Sequence, residues 1–297
     1  MSRFVLVCLI TIFLASCQSA PPRAWELPPG VKVVRVNGYD MAYVEQGQGI
    51  PVVMIHGALG DYRVFRAQIE PFGDKYRAIA LSLRHYYPEP WNGTGGGFSE
   101  RQHTADVAAF IKTLDAGPVF VVGHSRGGII AIHVARSYPD VVRALVLAEP
   151  GLNALLGPGD PGAAIRQPRI DKTLQIFEKG DIEGGLQFFI DDVTGAGSWK
   201  NRPEPERQLA RDNAWTLKGD QPQTQEPFTC QDAGQIEAPV LLVGAERSPP
   251  VFAKILDVLA SCLKRSERVT IPNASHPMNR MNPSAFNNAV LNFLATH

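Results

Sequence analysis

Short runs of consecutive apolar residues recur along the chain and alternate with segments of helical periodicity. Such runs are typical of strands buried on both faces of a parallel sheet. We predict six of these strands, at residues 52–55, 78–83, 119–122, 144–147, 240–243 and 269–271. The clearest helical patterns lie at residues 104–114, 128–138, 251–263 and 283–294. This alternation predicts an α/β fold with a mostly parallel central sheet and helices on both faces.

A β-hairpin is predicted to precede this sheet. Residues 31–36 and 39–45 have the composition of strands, and the two-residue turn Asn37-Gly38 joins them. The two strands should therefore be antiparallel.

The interval 152–232 departs from the strand–helix alternation, because it is rich in Gly, Pro, Gln and charged residues with only helix-like stretches. We interpret it as a helical cap inserted into a core formed by residues 31–151 and 233–297. An insertion at the carboxyl edge of such a sheet would cover the place where ligands bind.

The N-terminus has the pattern of a secretory signal, with Arg3 followed by an apolar segment at residues 4–14. Leu14-Ala15-Ser16-Cys17 resembles the bacterial lipobox. This resemblance implies a signal peptide at 1–16, a lipid anchor on Cys17 and a tether at 17–30. The alternative is an ordinary signal peptide cut near Ala20. Gln18 resembles the sorting residue of outer-membrane lipoproteins, so we expect the bacterial cell envelope, at the periplasmic face of the outer membrane.

The charge balance bears on the class of partner, and the cysteine content bears on a possible disulfide. The 29 basic and 29 acidic side chains balance, which disfavours nucleic acid as a partner. Apart from Cys17, the mature chain would hold Cys230 and Cys262, which either pair in an oxidising compartment or remain free buried thiols. The sequence indicates no oligomeric state.

The motif Gly123-His124-Ser125-Arg126-Gly127 lies between the predicted strand 119–122 and the helix that follows. This strand-to-helix junction is where a nucleophilic serine is displayed in a strained turn. Glycines on either side of it let the helix pass close to the strand. We therefore predict that Ser125 is a nucleophile.

A serine hydroxyl needs a base to accept its proton, and the base needs an acid to fix its tautomer. His276 follows a predicted strand near the C-terminus. The base lies there when the catalytic residues occur along the chain in the order serine, acid, histidine. The turn His56-Gly57-Ala58 follows the strand 52–55. We predict that the backbone amides of Ala58 and Arg126 bind the oxyanion, which makes the Arg126 side chain incidental.

Together these motifs resemble the α/β-hydrolase family over roughly residues 31–297. Most members carry an aspartate after the strand that is here 240–243, at a position occupied by Arg247. The resemblance implies two substitutes. Glu149 lies after the strand 144–147, where haloalkane dehalogenases of similar layout carry a glutamate acid. Glu246 lies one residue from the usual position, and we favour Glu149 because such a shift reverses a side chain in an extended segment.

These residues predict a serine hydrolase that cleaves a small carboxylic ester or related acyl compound through an acyl-enzyme on Ser125. No cofactor is required, and the sequence has no metal-binding motif. Tyr86, Tyr87 and Trp91 are either the lining of an apolar acyl pocket or an exposed loop cluster. The motifs leave open a thioesterase, lactonase, amidase, C–C bond hydrolase or acyltransferase. A rival from another class is a non-catalytic envelope binding protein on the same scaffold.

Overall fold

The computed structural model describes residues 25–297. The predicted signal peptide, the lipidation site at Cys17 and the first part of the tether lie outside the described residues. Among residues 25–297, no helix combines the length and the hydropathy that crossing a bilayer requires.

The core is an eight-stranded sheet in the spatial order β1-β2-β4-β3-β5-β6-β7-β8. The first hairpin, β1 with β2, and the pairing of β2 with β4 are antiparallel, and every other pairing is parallel. The predicted fold class is therefore confirmed. The strands are β1 (Lys32–Val36), β2 (Tyr39–Gln46), β3 (Pro51–Ile55), β4 (Arg77–Leu81), β5 (Val119–His124), β6 (Val142–Ala148), β7 (Val240–Ala245) and β8 (Ser266–Ile271).

Helices cover both faces of this sheet, and the strand sequence shows why. In β3, Val53 and Ile55 pack into one hydrophobic cluster while Val52 and Met54 pack into the other, because successive side chains of a strand point to opposite faces. The helices that flank the sheet are α1 (Arg66–Gly73), α2 (Glu100–Thr113), α3 (Arg126–Ser137), α7 (Cys230–Ala233), α8 (Pro250–Cys262), α9 (Met278–Met281) and α10 (Pro283–Leu294). Residues of α2, α3 and α8 join the cluster of Val53, and residues of α1 and α10 join that of Val52.

The chain between β6 and β7 is helical and has a small hydrophobic cluster of its own. Its helices are α4 (Arg166–Glu178), α5 (Ile182–Thr194) and α6 (Glu204–Asp212), with short 3-10 turns around them. Leu186 and Trp199 are buried in this cluster together with Leu59 of the core. That residues 152–232 form a distinct cap stays a prediction.

A disulfide joins Cys230 at the start of α7 to Cys262 at the end of α8, across 32 residues of sequence. It fastens the end of the helical insertion to the core.

Candidate active site

Ser125 stands in the turn between β5 and α3 with φ of 54° and ψ of −118°. This positive φ is costly for a residue with a side chain, and the surrounding structure has to hold it. The backbone N–H of Ser125 donates to the carbonyl of Ala148 at 2.9 Å. A Cβ at Gly127 would lie 2.1 Å from the carbonyl oxygen of Ile55, and one at Gly123 would lie 2.5 Å from that of Gly127. The two glycines are therefore required for the close approach of strand and helix.

Glu149 and His276 form a buried hydrogen-bonded pair. Nδ1 of His276 lies 2.7 Å from Oε2 of Glu149, and both side chains are almost fully buried. Glu149 immediately follows β6, while His276 lies in the loop after β8. Because β6, β7 and β8 are parallel neighbours, their carboxyl ends bring the two residues together across 127 positions of sequence.

Two further groups hold the Glu149 carboxylate. The N–H of Ala245 donates to Oε1 at 2.8 Å, and the hydroxyl of Ser248 donates to Oε2 at 2.8 Å. Glu149 itself has a φ of 42°, so its backbone is strained as well. With Nδ1–H donating to the carboxylate, His276 presents its Nε2 lone pair away from Glu149.

Glu246 takes no part in this pair. Its side chain is exposed and accepts a hydrogen bond from the N–H of Asn273 at 2.6 Å. Of the two glutamates, the structure thus brings only Glu149 to His276. Arg247 donates to Oδ1 of Asn273 at 2.7 Å rather than pairing with either glutamate.

Ser125 and His276 line the same cavity, although no hydrogen bond joins them directly. The Nε2 of His276 is buried and has no hydrogen-bond partner among residues 25–297. Nε2 of the neighbouring His124 lies 2.8 Å from the carbonyl oxygen of His276. This contact joins the end of β5 to the loop that contains His276. Phe252 stacks on the His276 ring with centroids 4.1 Å apart. Contacts between a nucleophile and its base often tighten only when substrate binds.

The predicted oxyanion donors also line this cavity. Within the described chain, the backbone N–H groups of Ala58 and Arg126 have no protein acceptor, so both are free to donate to a ligand. A Cβ at Gly57 would lie 2.9 Å from the Cβ of Ser125, which shows how closely the 56–58 turn approaches the serine. Their role as donors stays a prediction.

His124 and His56, two buried histidines near the site, have lowered pKa values. Burial, and then the charge of His276, lowers the pKa of His124 well below its ordinary value. Burial lowers the pKa of His56 to about 4. Nε2 of His56 accepts from the N–H of Leu83 at 3.0 Å, and Nδ1 lies 2.9 Å from the carbonyl of Gly57. His56 therefore needs one protonated and one free ring nitrogen, which fits a structural role.

The helical insertion supplies much of the apolar wall of the cavity. The cavity is small, with a volume of about 100 Å³. Its apolar lining includes Ile170, Phe189, Ile190, Val193 and Leu209 from α4, α5 and α6.

The sequence left Tyr86, Tyr87 and Trp91 as either the lining of an acyl pocket or an exposed loop cluster. None of the three lines this cavity, so the acyl-pocket alternative was wrong. Tyr86 is buried with its ring 4.5 Å from that of His56. Trp91 stacks on His85 at 4.7 Å and on Phe98 at 5.2 Å. The contacts of Trp91 join residues within the 84–98 loop, and the contact of Tyr86 packs this loop on His56.

The side chain of Arg126 is not incidental, contrary to the expectation from sequence. It is buried, and Nη1 donates to Oδ1 of Asp220 at 2.6 Å. Arg166 of the insertion donates to the same oxygen at 2.6 Å and also pairs with Glu100 at 3.2 Å. Burial acts to raise the pKa of Asp220, but the charges of Arg126 and Arg166 outweigh it and lower that pKa. This network joins the residue after the serine to the insertion, and no sequence motif indicated it.

No cluster of three or more His, Cys, Asp or Glu side chains suited to a metal ion occurs in the part of the chain that the structure describes.

Comparisons with known proteins identify the family. The profile of the alpha/beta hydrolase family matches residues 52–289, so the chain belongs to that family. A 2-(acetamidomethylene)succinate hydrolase of Mesorhizobium japonicum is 24% identical over 84% of this chain and 90% of its own length. An (E)-2-((N-methylformamido)methylene)succinate hydrolase of Acinetobacter baylyi is 26% identical over 88% and 96%.

Solved structures resemble the fold at low identity. The enol-lactonase of Burkholderia xenovorans has a TM-score of 0.74 at 18% identity, covering 89% of this chain and 100% of that one. A bromoperoxidase of Bacillus anthracis has the same TM-score at 21% identity, covering 89% of this chain and 99% of that one.

Proposed function

We propose that this alpha/beta hydrolase is a serine hydrolase that cleaves a carboxylic ester or related acyl compound. The observation that carries the proposal is the buried hydrogen bond from His276 to Glu149, because His276 lines the same cavity as Ser125. A histidine oriented by a carboxylate beside a strained serine is the arrangement that nucleophilic acyl transfer requires.

In the first half of the reaction, Oγ of Ser125 attacks the carbonyl carbon while Nε2 of His276 accepts the hydroxyl proton. The carbonyl electron pair moves onto oxygen, where the N–H groups of Ala58 and Arg126 donate to it. Each such donor contributes about 3 kcal/mol to the transition state in other serine hydrolases. The intermediate then expels the leaving group, which takes the proton from His276.

In the second half, a water molecule attacks the acyl-enzyme and transfers a proton to His276. Collapse of the new intermediate returns that proton to Ser125 and releases the acid. Throughout, Glu149 keeps the proton of the neutral ring on Nδ1 and stabilises the imidazolium that forms.

Labelling with a fluorophosphonate tests the nucleophile directly. We expect covalent capture of the wild-type protein, loss of capture in Ser125→Ala and slow capture in His276→Ala. Ser137→Ala, which changes an exposed serine at the end of α3, is the matched control and should label normally. Absence of labelling in the folded wild-type protein would reject the proposal and favour a non-catalytic binding module.

A series of p-nitrophenyl esters of increasing acyl length then tests the reaction class. The relatives are named as hydrolases of substituted succinates and as an enol-lactonase, among others, which supports hydrolysis on this scaffold. We expect turnover of short acyl chains, because the insertion narrows the cavity. Labelling of Ser125 without turnover of any ester would instead favour a C–C bond hydrolase or an acyltransferase.

We also propose that Cys17 anchors the enzyme to the envelope membrane. The support is the lipobox-like sequence alone. Radiolabelled palmitate should enter the full-length protein in bacteria and should not enter Cys17→Ser. Equal incorporation into both proteins, or none into either, would reject the anchor without touching the proposed catalytic function.

A further inference from the structure

Five arginines line the cavity of Ser125, and among the described residues only one carboxylate, Asp220, lines it with them. The arginines are Arg126, Arg166, Arg169, Arg202 and Arg280. This excess of cations is unusual for a cavity that has a largely apolar wall, because each buried charge has to be compensated.

Four of the five arginines have carboxylate partners. Arg126 and Arg166 share Asp220, and Arg166 also reaches Glu100. Arg169 pairs with Asp192 and Arg280 pairs with Glu206, and neither carboxylate lines the cavity.

Arg202 is the exception. Within the described chain its half-buried guanidinium makes no hydrogen bond or ion pair, although all five of its N–H groups are donors. Burial, and after it the charge of Arg280, lowers the pKa of Arg202 to about 10. Arg202 is therefore still charged at neutral pH, and the dominant charge acting on it is another cation.

Arg280 lines the same cavity as Arg202 and has further unused donors. Only its Nη1 is bound to Glu206, at 2.7 Å, and its buried Nε has no hydrogen-bond partner among residues 25–297. Its charge also contributes to the low pKa of His124, the residue before the nucleophile. Arg280 and Ser125 line one cavity, so the unused donors of Arg280 belong to the same site as the proposed nucleophile.

We propose that Arg202 and Arg280 bind a carboxylate of the substrate, so that the enzyme acts on acyl compounds carrying a free carboxylate. Planar guanidinium groups match the two oxygens of a carboxylate in a fork geometry. The apolar residues of the cavity then contact the carbon chain between this carboxylate and the scissile bond. This inference rests on the proposed hydrolase function and names its substrate class.

The test compares matched charged and neutral esters. One pair is 4-nitrophenyl hydrogen glutarate and its methyl ester, with the charge on the acyl side. The other is 4-acetoxybenzoate and its methyl ester, with the charge on the leaving group. After subtraction of uncatalysed hydrolysis, the wild-type enzyme should prefer the charged member of at least one pair by roughly ten- to hundredfold in kcat/KM.

Arg202→Gln should lower this charged-to-neutral ratio to near one, mainly through a higher KM for the charged ester. Arg202→Lys keeps the charge and should retain part of the preference. Lys200→Gln is the matched control, because it removes an exposed positive charge two residues away and should keep the wild-type ratio.

Several outcomes would overturn the carboxylate site. They are the absence of a charge preference in the wild-type enzyme, an unchanged ratio in Arg202→Gln, and an equal fall in Lys200→Gln. Each leaves the proposed function intact if neutral esters are turned over and a fluorophosphonate still labels Ser125.

Binding can be measured even if no ester is cleaved. Titration calorimetry of folded Ser125→Ala with glutarate should show binding that the added Arg202→Gln change weakens roughly tenfold or more. No glutarate binding, or tighter binding of inorganic phosphate than of glutarate, would reject a carboxylate as the ligand.

Discussion

Replacing Glu149 by glutamine changes one oxygen of the proposed triad acid to an NH₂ group with almost no change in shape. In the native site, Oε1 accepts from the N–H of Ala245 while Oε2 accepts from His276 and Ser248. A glutamine has one acceptor oxygen, so it cannot satisfy both sides as the carboxylate does.

The geometry decides which way the amide turns. With its oxygen toward His276, its NH₂ would face the N–H of Ala245, leaving two buried donors unsatisfied at about 1–3 kcal/mol each. With its oxygen toward Ala245, its NH₂ faces Nδ1 of His276 and the Ser248 hydroxyl rotates to accept. This second orientation is favoured, and it forces the histidine proton onto Nε2.

A histidine protonated on Nε2 cannot accept the proton of Ser125. The corresponding change in a serine protease lowers kcat by about 10⁴-fold, and we expect a loss of that order, or about 5 kcal/mol of activation free energy. KM should change little, because Glu149 lies behind His276 and is shielded from the substrate.

The assay is steady-state hydrolysis of a p-nitrophenyl ester, with circular dichroism to establish that each variant is folded. Glu246→Gln is the matched control, since the exposed side chain of Glu246 accepts from the N–H of Asn273 and not from His276, and this variant should keep kcat within about threefold. Our assignment of the acid would be wrong if Glu149→Gln kept more than a tenth of the wild-type kcat. It would also be wrong if Glu246→Gln lowered kcat more than Glu149→Gln does.

Three predictions concern stability, each measured by denaturant unfolding. Asp220→Asn removes the buried partner of Arg126 and should lower the free energy of unfolding by about 3–5 kcal/mol. Burial lowers the pKa of His56 from 6.5 to about 4, so between these values the unfolded state binds the extra proton. The free energy of unfolding should therefore fall as pH drops through this window, by up to about 3 kcal/mol, and His56→Gln should flatten the fall. Reduction of the Cys230–Cys262 disulfide should expose two more thiols and lower the free energy of unfolding by about 3–4 kcal/mol, given its 32-residue separation.

The controls for these experiments lie in the same chain. Asp192→Asn breaks the pair of a half-exposed aspartate with Arg169 and should cost less than about 1 kcal/mol. Equal effects of Asp192→Asn and Asp220→Asn would contradict a special role for the buried network. A pH profile that is identical in His56→Gln and wild type would assign the loss of stability to other groups. An unchanged thiol count on reduction would show that the two cysteines do not pair.

The order of strands and helices was predictable because it depends on local patterns. Strand β3 is a run of apolar residues whose alternate side chains enter two different clusters, so its sequence already requires cover on both faces. The turn around Ser125 was equally readable, because Gly123 and Gly127 are tied to a geometry in which any Cβ would clash.

Sequence reasoning favoured Glu149 as the partner of His276 and left Glu246 as the alternative. Glu149 and Glu246 follow two neighbouring strands, and only the register at the carboxyl ends of β6 and β7 selects the first. The same holds for Arg126, whose burial depends on Asp220, an acid 94 residues away in the insertion. No local pattern encodes such a contact.

By itself, the sequence determined the alternation of elements, the strained serine turn and the presence of a late histidine, since each follows from residues close together in the chain. The tertiary structure alone decided which carboxylate meets His276 and that Tyr86 and Trp91 lie outside the cavity lining. It alone also decided that Arg202 lines the cavity with no ion-pair partner among residues 25–297. The physical reason is that burial and charge compensation depend on atoms that packing brings together across the sheet and the insertion. Residues adjacent in the sequence do not determine which distant groups these will be.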